Sequence, residues 1–173
     1  MYKTYKKIGI LGGTFDPPHY GHLAISKVAL KQLKVDKIFW IITKQNPFKN
    51  KPRYNYKKRK YLSEKIVSKE KAIIVKKISS KLNKKNTHAL LSLLRKKFKT
   101  KFFFLMGADN FINFHKWSNW MKIPKLAKIV VFARPKFSSK ALKSVAAKKL
   151  NRKDWIYINT TKLNISSSKL KRI

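Results

Sequence analysis

The chain contains no cysteine and no long apolar run. Without cysteine it can form neither a disulfide framework nor a thiolate metal site. Its longest apolar runs, such as residues 102–106 and 129–133, are far shorter than the roughly 20 residues that a membrane-spanning helix needs. The N-terminus also lacks the apolar region of a signal peptide. We therefore expect a soluble cytoplasmic protein.

Acidic residues are scarce, because 6 stand against 44 lysines and arginines, which gives a formal net charge of +38. Such a surface would attract any polyanion at low salt, which favours nucleic-acid binding. However, only six of the cations are arginine. Arginine would be expected to predominate in a protein that recognises base edges or phosphates, because its guanidinium can donate two parallel hydrogen bonds. The lysines spread over every predicted helix and loop. A compositional drift toward lysine explains the charge better, and it predicts weak nucleic-acid binding that is lost by physiological salt.

Strand-like and helix-like segments alternate along the 173 residues. Apolar runs rich in β-branched and aromatic residues predict six strands, at residues 8–11, 37–43, 72–76, 101–106, 129–133 and 155–158. Apolar residues at helical spacing predict helices at 20–33, 55–69, 86–98 and 138–150, with an irregular or short helical segment around 114–120. This order predicts one α/β domain, a Rossmann-like, doubly wound and mostly parallel sheet flanked by helices. Ligands of such sheets bind at the carboxyl ends of the strands.

The segment 6–23, KKIGILGGTFDPPHYGHL, is the most informative part of the chain. An apolar run stopped by Gly12 and Gly13 predicts a strand that enters a tight turn, and two prolines delay the next helix to about residue 20. Backbone N–H groups and a positive helix end then meet at one place, which suits a phosphate. His19 and His22, on either side of Gly21, could both donate hydrogen bonds to it. The spacing matches neither a Walker A loop nor G-x-G-x-x-G.

The run GGTFDPPHYGH resembles the G-[ST]-F-D-P-x-H-x-G-H signature of the nucleotidyltransferase superfamily. Members of that superfamily transfer a nucleotidyl group from ATP or CTP to a phosphate-bearing acceptor. Further runs, in the same order along essentially the whole chain, resemble the bacterial nicotinate-nucleotide adenylyltransferases: KQNPFK, MGADNF, FHKW, VVFARP and ISSSKLK. That family makes nicotinate adenine dinucleotide and diphosphate from ATP and nicotinate mononucleotide, in the path to NAD.

The resemblance implies an adenylyl transfer without a covalent nucleophile. The acceptor phosphate attacks the α-phosphorus of ATP in line, so catalysis depends on positioning and on stabilising charge. His19 and His22 are the implied catalytic residues, which bind the ATP phosphates and stabilise the pentavalent transition state. Magnesium is the implied cofactor. It is expected to be held mainly by the ATP phosphates, with no metal site on the protein, because carboxylates are few.

The resemblance also implies which residues bind the two substrates. Those for ATP are Gly12, Gly13, Thr14, Phe15, His19, His22, Gly107, Asp109, Ile165, Ser166, Ser168, Lys171 and Arg172. Those for nicotinate mononucleotide are Lys44, Lys49, Thr87, Trp117 and Arg134. Asp109 would accept hydrogen bonds from the adenosine ribose, and Trp117 would stack on the pyridine ring with Thr87 near its carboxylate. The plainer alternatives are a turn or helix-cap aspartate and a core tryptophan, for which Trp120 is the better spaced candidate.

Two features depart from the family pattern. Lys171 stands where the pattern has arginine, so the contact with the leaving diphosphate is expected to be weaker or to be taken over by Arg172. The chain also ends at Ile173, where family members continue with a further helix, and the loss of that helix would lower stability. Two other functions stay open. One is a phosphopantetheine adenylyltransferase, which has its own ISSS ending, and the other is a non-catalytic basic protein that binds nucleic acid through the same fold.

Overall fold

The structure is a computed structural model that describes residues 5–44, 51–76 and 86–160. The strands are β1 (Lys7–Gly13), β2 (Lys37–Ile42), β3 (Ile73–Lys76), β4 (Lys101–Gly107), β5 (Lys128–Phe132) and β6 (Trp155–Ile158). The α-helices are α1 (Tyr20–Leu33), α2 (Tyr56–Val67), α3 (Thr87–Lys97), α4 (Ala108–Ile112), α5 (Ser138–Leu142) and α6 (Val145–Lys149). Short 3₁₀ helices occupy Phe114–Lys116, Trp120–Lys125 and Arg152–Asp154. No helix in the described ranges is long and apolar enough to cross a bilayer.

All six strands are parallel and lie in the order β3-β2-β1-β4-β5-β6. This order confirms the predicted doubly wound α/β fold. The chain moves outward from β1 through β2 and β3, and then outward on the other side from β4 to β6, so the direction reverses between β1 and β4. A crevice outside the carboxyl ends of the strands is expected at that reversal, and ligands of such sheets bind there.

The sheet separates two hydrophobic cores, and the central strand β1 contributes side chains to both. Ile8 and Ile10 pack on one face with Phe104 of β4, while Leu11 packs on the other face with Trp40 of β2. All five side chains are nearly fully buried, and burying an aliphatic side chain of this size contributes about 1.5–3 kcal/mol. Successive residues of a strand point to opposite faces, so a strand covered by helices on both sides needs a continuous apolar run.

A buried pair of hydrogen bonds fixes α1 on the sheet. The indole Nε1 of Trp40 donates to Oγ of Ser26 over 2.8 Å, and that hydroxyl donates to the carbonyl of His22 over 2.9 Å. Trp40 and Ser26 are both fully buried. Leaving the indole N–H unpaired there would cost about 1–3 kcal/mol. These bonds therefore set where the first turn of α1 stands over β2.

Beyond shifts of one or two residues at element ends, β1 and the predicted helix over 138–150 differ from the sequence prediction. β1 does not stop before its glycines, because Gly12 and Gly13 continue the ladder opposite Ile41 and Ile42 of β2. The predicted helix over 138–150 is instead two five-residue helices, α5 and α6. It breaks at Ser144, which is extended and whose Oγ accepts a hydrogen bond from the N–H of residue 147. A serine side chain competes with the helix interior for such backbone bonds and favours the cap.

Candidate active site

The carboxyl ends of β1 and β2 are tied together where the two strands end. The N–H of Thr43 donates to the carbonyl of Gly13 over 2.8 Å. Beyond this bond Phe15 turns the chain with a left-handed φ of 50°, a conformation that costs a non-glycine residue about 1–3 kcal/mol. Its ring is buried and stacks on Trp40 with 4.9 Å between centroids, and the next peptide, Asp16–Pro17, is cis. The Phe15 ring thus anchors the loop, and its predicted part in ATP binding stays a prediction.

His19 and His22, at the first turn of α1, share one hydrogen-bonding arrangement. His19 is the N-cap of the helix, and its Nδ1 accepts from the N–H of Gly21 over 3.1 Å. Nδ1 of His22 accepts from the N–H of His19 over 3.2 Å. A neutral imidazole that accepts at Nδ1 carries its proton at Nε2. The backbone therefore sets both rings as Nε2–H donors.

The two imidazole rings lie side by side, with 3.9 Å between centroids and planes inclined by 34°. His22 also packs against Phe15 at 4.7 Å and against Trp40 at 5.9 Å. Gly21 leaves room for the neighbouring ring, because a Cβ at that position would lie 2.8 Å from two atoms of His19. Packing and backbone bonds together hold the donor pair in one place.

Burial lowers the pKa of His19 below its ordinary value, and the positive charge of Arg134 lowers it further. Since the ordinary histidine pKa is already about 6.5, His19 is neutral at pH 7. Its neutral form is the one that accepts from Gly21 at Nδ1 and donates at Nε2. At physiological pH the ring is therefore a polar donor and not a fixed cation.

An ion pair joins the ends of β4 and β5. Oδ2 of Asp109 lies 2.7 Å from a guanidinium nitrogen of Arg134, while Oδ1 is buried and has no partner among the described residues. Gly107, the N-cap of α4, leaves space for that oxygen, because a Cβ there would lie 2.5 Å from it. A buried acceptor without a donor is costly, so Oδ1 is suited to a hydroxyl brought by a ligand.

Two of the residues assigned from the sequence form this ion pair. Asp109 lies in the first turn of α4 and not in a loop, where the positive helix end also favours a carboxylate. The sequence assigns Arg134 to the acceptor nucleotide. That assignment stays a prediction. In the structure Arg134 pairs with Asp109, and its charge contributes to the lowered pKa of His19; both of those residues are assigned to ATP.

Asp16 has a structural role that the sequence analysis missed. Its Oδ1 accepts from the N–H of Tyr54 over 2.9 Å, and its Oδ2 accepts from the N–H of Arg53. These bonds attach the segment before α2 to the loop after β1. The partners stand 37 and 38 residues away in the chain, so no local pattern could have shown the contact.

Arg59, on α2, is the second residue that the sequence analysis missed. It is only 2% exposed, and its guanidinium donates to the backbone carbonyls of Thr14, Thr43, Lys44 and Tyr54. The available signal was the residue type. Arginine in the lysine-rich run 57–60 (KKRK) indicates a position where a planar fork of donors is used, which lysine cannot supply.

The residues predicted to contact the nicotinate ring lie on α3 and on the turns after α4. Thr87 is the first residue of α3, behind the capping side chain of Asn86. Trp117 packs edge-on against Phe104 with 6.0 Å between ring centroids, and Trp120 packs against the same core. Both tryptophans are half-buried, so the structure does not single out Trp120 as the core residue and Trp117 as the ligand-binding one. Their contacts with a ligand stay a prediction.

Several predicted residues lie outside the described ranges. They are Lys49, Ile165, Ser166, Ser168, Lys171 and Arg172. Lys44 is described and exposed, and its carbonyl is bound by Arg59. The ligand contacts assigned to Lys44, Gly12, Gly13 and Thr14 also stay predictions.

Most carboxylates of the described ranges are bound to protein groups. Asp36 accepts from the N–H groups of Lys6 and Lys7, and the others engaged in this way are Asp16, Glu64, Glu70 and Asp109. In the same ranges no group of three histidine, aspartate or glutamate side chains is arranged to hold a metal ion. This donor set offers a metal no carboxylate cage of its own.

Comparison with known proteins shows which family the chain belongs to. Residues 10–173 match the cytidylyltransferase-like family model. A Pelagibacter ubique protein named probable nicotinate-nucleotide adenylyltransferase is 48% identical over 167 residues, which cover 96% of this chain and 93% of that protein. The chain belongs to the nicotinate-nucleotide adenylyltransferase family. A protein of the same name from a Ruegeria species is 39% identical over 129 residues, which cover 74% of this chain and 68% of the relative.

The fold of this adenylyltransferase also matches a solved structure. A Plasmodium falciparum nicotinic acid mononucleotide adenylyltransferase complexed with NaAD aligns with a TM-score of 0.74 over 95% of this chain and 82% of that one. The two are 22% identical in sequence, so the likeness shows the shared fold. Membership of the adenylyltransferase family confirms the resemblance seen in the sequence. Family membership also favours a nicotinate-nucleotide adenylyltransferase over the two alternatives left open by the sequence, a phosphopantetheine adenylyltransferase and a non-catalytic nucleic-acid-binding protein.

Proposed function

We propose that the chain transfers the adenylyl group of ATP to nicotinate mononucleotide, which gives nicotinate adenine dinucleotide and diphosphate in NAD biosynthesis. The observation that carries the proposal is the imidazole pair of His19 and His22, set as Nε2–H donors with 3.9 Å between ring centroids. The pair stands at the N-terminus of a 14-residue helix, whose dipole favours an anion. Neutral donors and a positive helix end together suit the phosphate chain of a nucleotide.

The proposed reaction is a single displacement at the α-phosphorus of ATP. An oxygen of the acceptor phosphate forms the new P–O bond on the side opposite the β-phosphate, and the bond to the β-phosphate breaks. The electron pair of that bond leaves with diphosphate. No general base is needed, because the attacking phosphate is already ionised. His19 and His22 would donate to the non-bridging oxygens, where hydrogen bonds from fixed donors stabilise the transition state.

The ion pair of Asp109 and Arg134 is proposed to position the adenosine half. Oδ1 of Asp109 is the buried acceptor that lacks a donor in the described ranges, and a ribose hydroxyl would supply one. Arg134 holds the other carboxylate oxygen over 2.7 Å and keeps positive charge beside the phosphates. On the acceptor side, Trp117 would stack on the pyridine ring, with Thr87 near its carboxylate.

Magnesium is proposed to arrive bound to the ATP phosphates, where it would neutralise phosphate charge. The described carboxylates are largely engaged by the protein, so the part left to the chain is to bind the remaining phosphate oxygens. The Nε2–H groups of His19 and His22 are suited to that part. We place the reaction in the cytoplasm, where ATP and pyridine nucleotides are available.

The test of this function is a comparison of acceptors. Diphosphate release from ATP is measured with magnesium and, in parallel, with nicotinate mononucleotide, nicotinamide mononucleotide or 4′-phosphopantetheine. We expect release with nicotinate mononucleotide, together with an equal amount of nicotinate adenine dinucleotide. Release with 4′-phosphopantetheine alone would replace the proposed substrate. No release with any acceptor, from a protein shown to be folded by circular dichroism, would contradict the proposed activity.

A further inference from the structure

Arg59 joins three separate segments of the chain at the edge of the sheet where the substrates are proposed to bind. One terminal nitrogen donates both to the carbonyl of Thr14, in the loop after β1, and to that of Thr43, after β2, the latter over 2.8 Å. The other terminal nitrogen donates to the carbonyl of Lys44 over 3.1 Å. Nε donates to the carbonyl of Tyr54, before α2, over 3.0 Å. One side chain therefore fixes both strand-end loops relative to each other.

These bonds also fix which way the backbone donors of the loops point. In a trans peptide the carbonyl and the following N–H point in opposite directions. Because the carbonyls of Thr14 and Thr43 point to the Arg59 guanidinium, the N–H groups of Phe15 and Lys44 point away from it. Each loop thus presents an outward backbone N–H group, and backbone N–H groups that converge on one place can bind an anion. The β1 loop carries the residues assigned to the ATP phosphates, and the β2 loop carries Lys44, assigned to the acceptor phosphate.

The guanidinium keeps its positive charge beneath the two loops. Its hydrogen-bond partners among the described residues are all carbonyl oxygens, and the nearby carboxylate of Asp16 is instead hydrogen-bonded to the N–H groups of Arg53 and Tyr54. Burial lowers the pKa of Arg59, while Asp16 and Tyr56 raise it, and an arginine stays protonated in a protein. Since a buried charge is screened less than an exposed one, it can act on an anion bound above the loops.

We propose that Arg59 is a positioning residue for the phosphate groups of both substrates. It holds the carbonyls of the β1 and β2 loops inward so that their N–H groups face the phosphates, and it places a fixed positive charge behind them. The proposal rests on the proposed function for the identity of the two nucleotides. It makes one demand that a general packing role does not: loss of Arg59 must weaken the binding of phosphates more than the binding of the nucleoside.

The experiment uses Arg59→Lys, which keeps the charge but loses the planar fork, and Arg59→Gln, which loses the charge. Ser63→Ala is the matched control, because Ser63 is buried one turn further along α2 and its Oγ donates to the carbonyl of Arg59 over 2.8 Å. Titration calorimetry at 20 °C and fixed ionic strength measures the dissociation constants of diphosphate, ATP and adenosine for each protein. Binding is measured without an acceptor, so the result does not depend on turnover.

We expect Arg59→Lys to raise the dissociation constants of diphosphate and ATP by about tenfold, and Arg59→Gln to raise them by more. The reason is that hydrogen bonds from forked and charged donors to phosphate are among the stronger ones. Adenosine should stay within about twofold of the wild type in both, and Ser63→Ala should change none of the three. Equal losses for adenosine and diphosphate, unchanged binding of all three, or a chain that no longer folds in both Arg59 variants would overturn the proposal. A wild type that binds diphosphate without transferring AMP would refute the proposed function alone.

Discussion

Replacing Gly21 by alanine should separate the activity of this enzyme from its stability. A Cβ at position 21 would lie 2.8 Å from Cε1 and Nδ1 of His19, closer than carbon atoms pack. The atoms that it meets belong to the end of a side chain, so the imidazole can rotate away while the backbone stays in place. Rotation breaks the bond from the Gly21 N–H to Nδ1 of His19, 3.1 Å in the present structure. The Nε2–H donor then loses its fixed direction.

The expected change in stability is small because two effects oppose each other. Alanine in place of a helical glycine with ordinary backbone angles stabilises by about 0.4–1 kcal/mol. Loss of the side-chain cap of His19 costs about 0.5–2 kcal/mol. The net free energy of unfolding should therefore change by no more than about 1.5 kcal/mol. For a chain of this length that is a shift in Tm of at most about 6 °C in thermal melts followed by circular dichroism.

The expected change in activity is much larger. Removing one donor aimed at the transition state typically lowers kcat by about 10²–10³-fold. His19→Asn is the matched variant, because asparagine is a good N-cap but does not present the imidazole Nε2–H. It should lose kcat to a similar extent while keeping the Tm. In the double variant Gly21→Ala with His19→Asn, alanine should cost nothing further, because the ring that it displaces is gone.

Steady-state assays of dinucleotide formation on the two single variants and the double variant complete this cycle. A kcat near that of the wild type in Gly21→Ala would show that catalysis does not need the His19 ring in this position. Additive losses in the double variant would also count against the role of this ring. They would show that alanine acts through something other than the ring.

Three further outcomes follow from the same structure. Burial and the charge of Arg134 lower the pKa of His19. The contribution of neutral His19 to the free energy of unfolding is therefore complete above about pH 6.5 and is lost as the pH falls through the pKa of the folded state. Arg134→Gln should raise the pKa of His19 in a proton NMR titration, and an unchanged pKa would be evidence against the electrostatic contact. Gly107→Ala should raise the KM for ATP at least severalfold, since its Cβ would lie 2.5 Å from Oδ1 of Asp109, and an unchanged KM would remove that carboxylate from ATP binding. Binding of a DNA duplex in gel shifts should be weak and should vanish by about 0.15 M salt, whereas salt-resistant binding would give the +38 charge a role in the cell.

The fold was predictable because each strand carries its own signal. The run KIFWII of β2 is buried along nearly its whole length, and a continuous apolar run of that length fits a strand that is covered on both faces. The donor pair was predictable because His19 and His22 lie three residues apart at a helix start, within a dense signature. The break at Ser144 was not predictable from helical spacing, because the apolar pattern continues through it while the side chain caps a new helix.

The contacts that organise the site were hidden from the sequence because their partners are distant along the chain. Arg59 bonds to positions 15 to 45 residues away in the loops after β1 and β2, which only the parallel sheet brings together. The pairing of Asp109 with Arg134 needs β4 and β5 to be neighbours. Spacing favoured Trp120 over Trp117 as the core residue, whereas both pack partly buried against the core. Local patterns thus indicate the elements and the reactive residues, whereas the supporting contacts depend on topology.

The stereochemical course at the α-phosphorus separates hydrogen-bond catalysis by the two histidines from covalent catalysis. If His19 and His22 donate hydrogen bonds and never bond to phosphorus, the reaction is one in-line displacement. With a chiral α-thio analogue of ATP and nicotinate mononucleotide, the dinucleotide product analysed by ³¹P NMR should show inverted configuration at phosphorus. Retention would require two displacements through an adenylylated residue of the enzyme, and it would contradict the role of His19 and His22 as hydrogen-bond donors only.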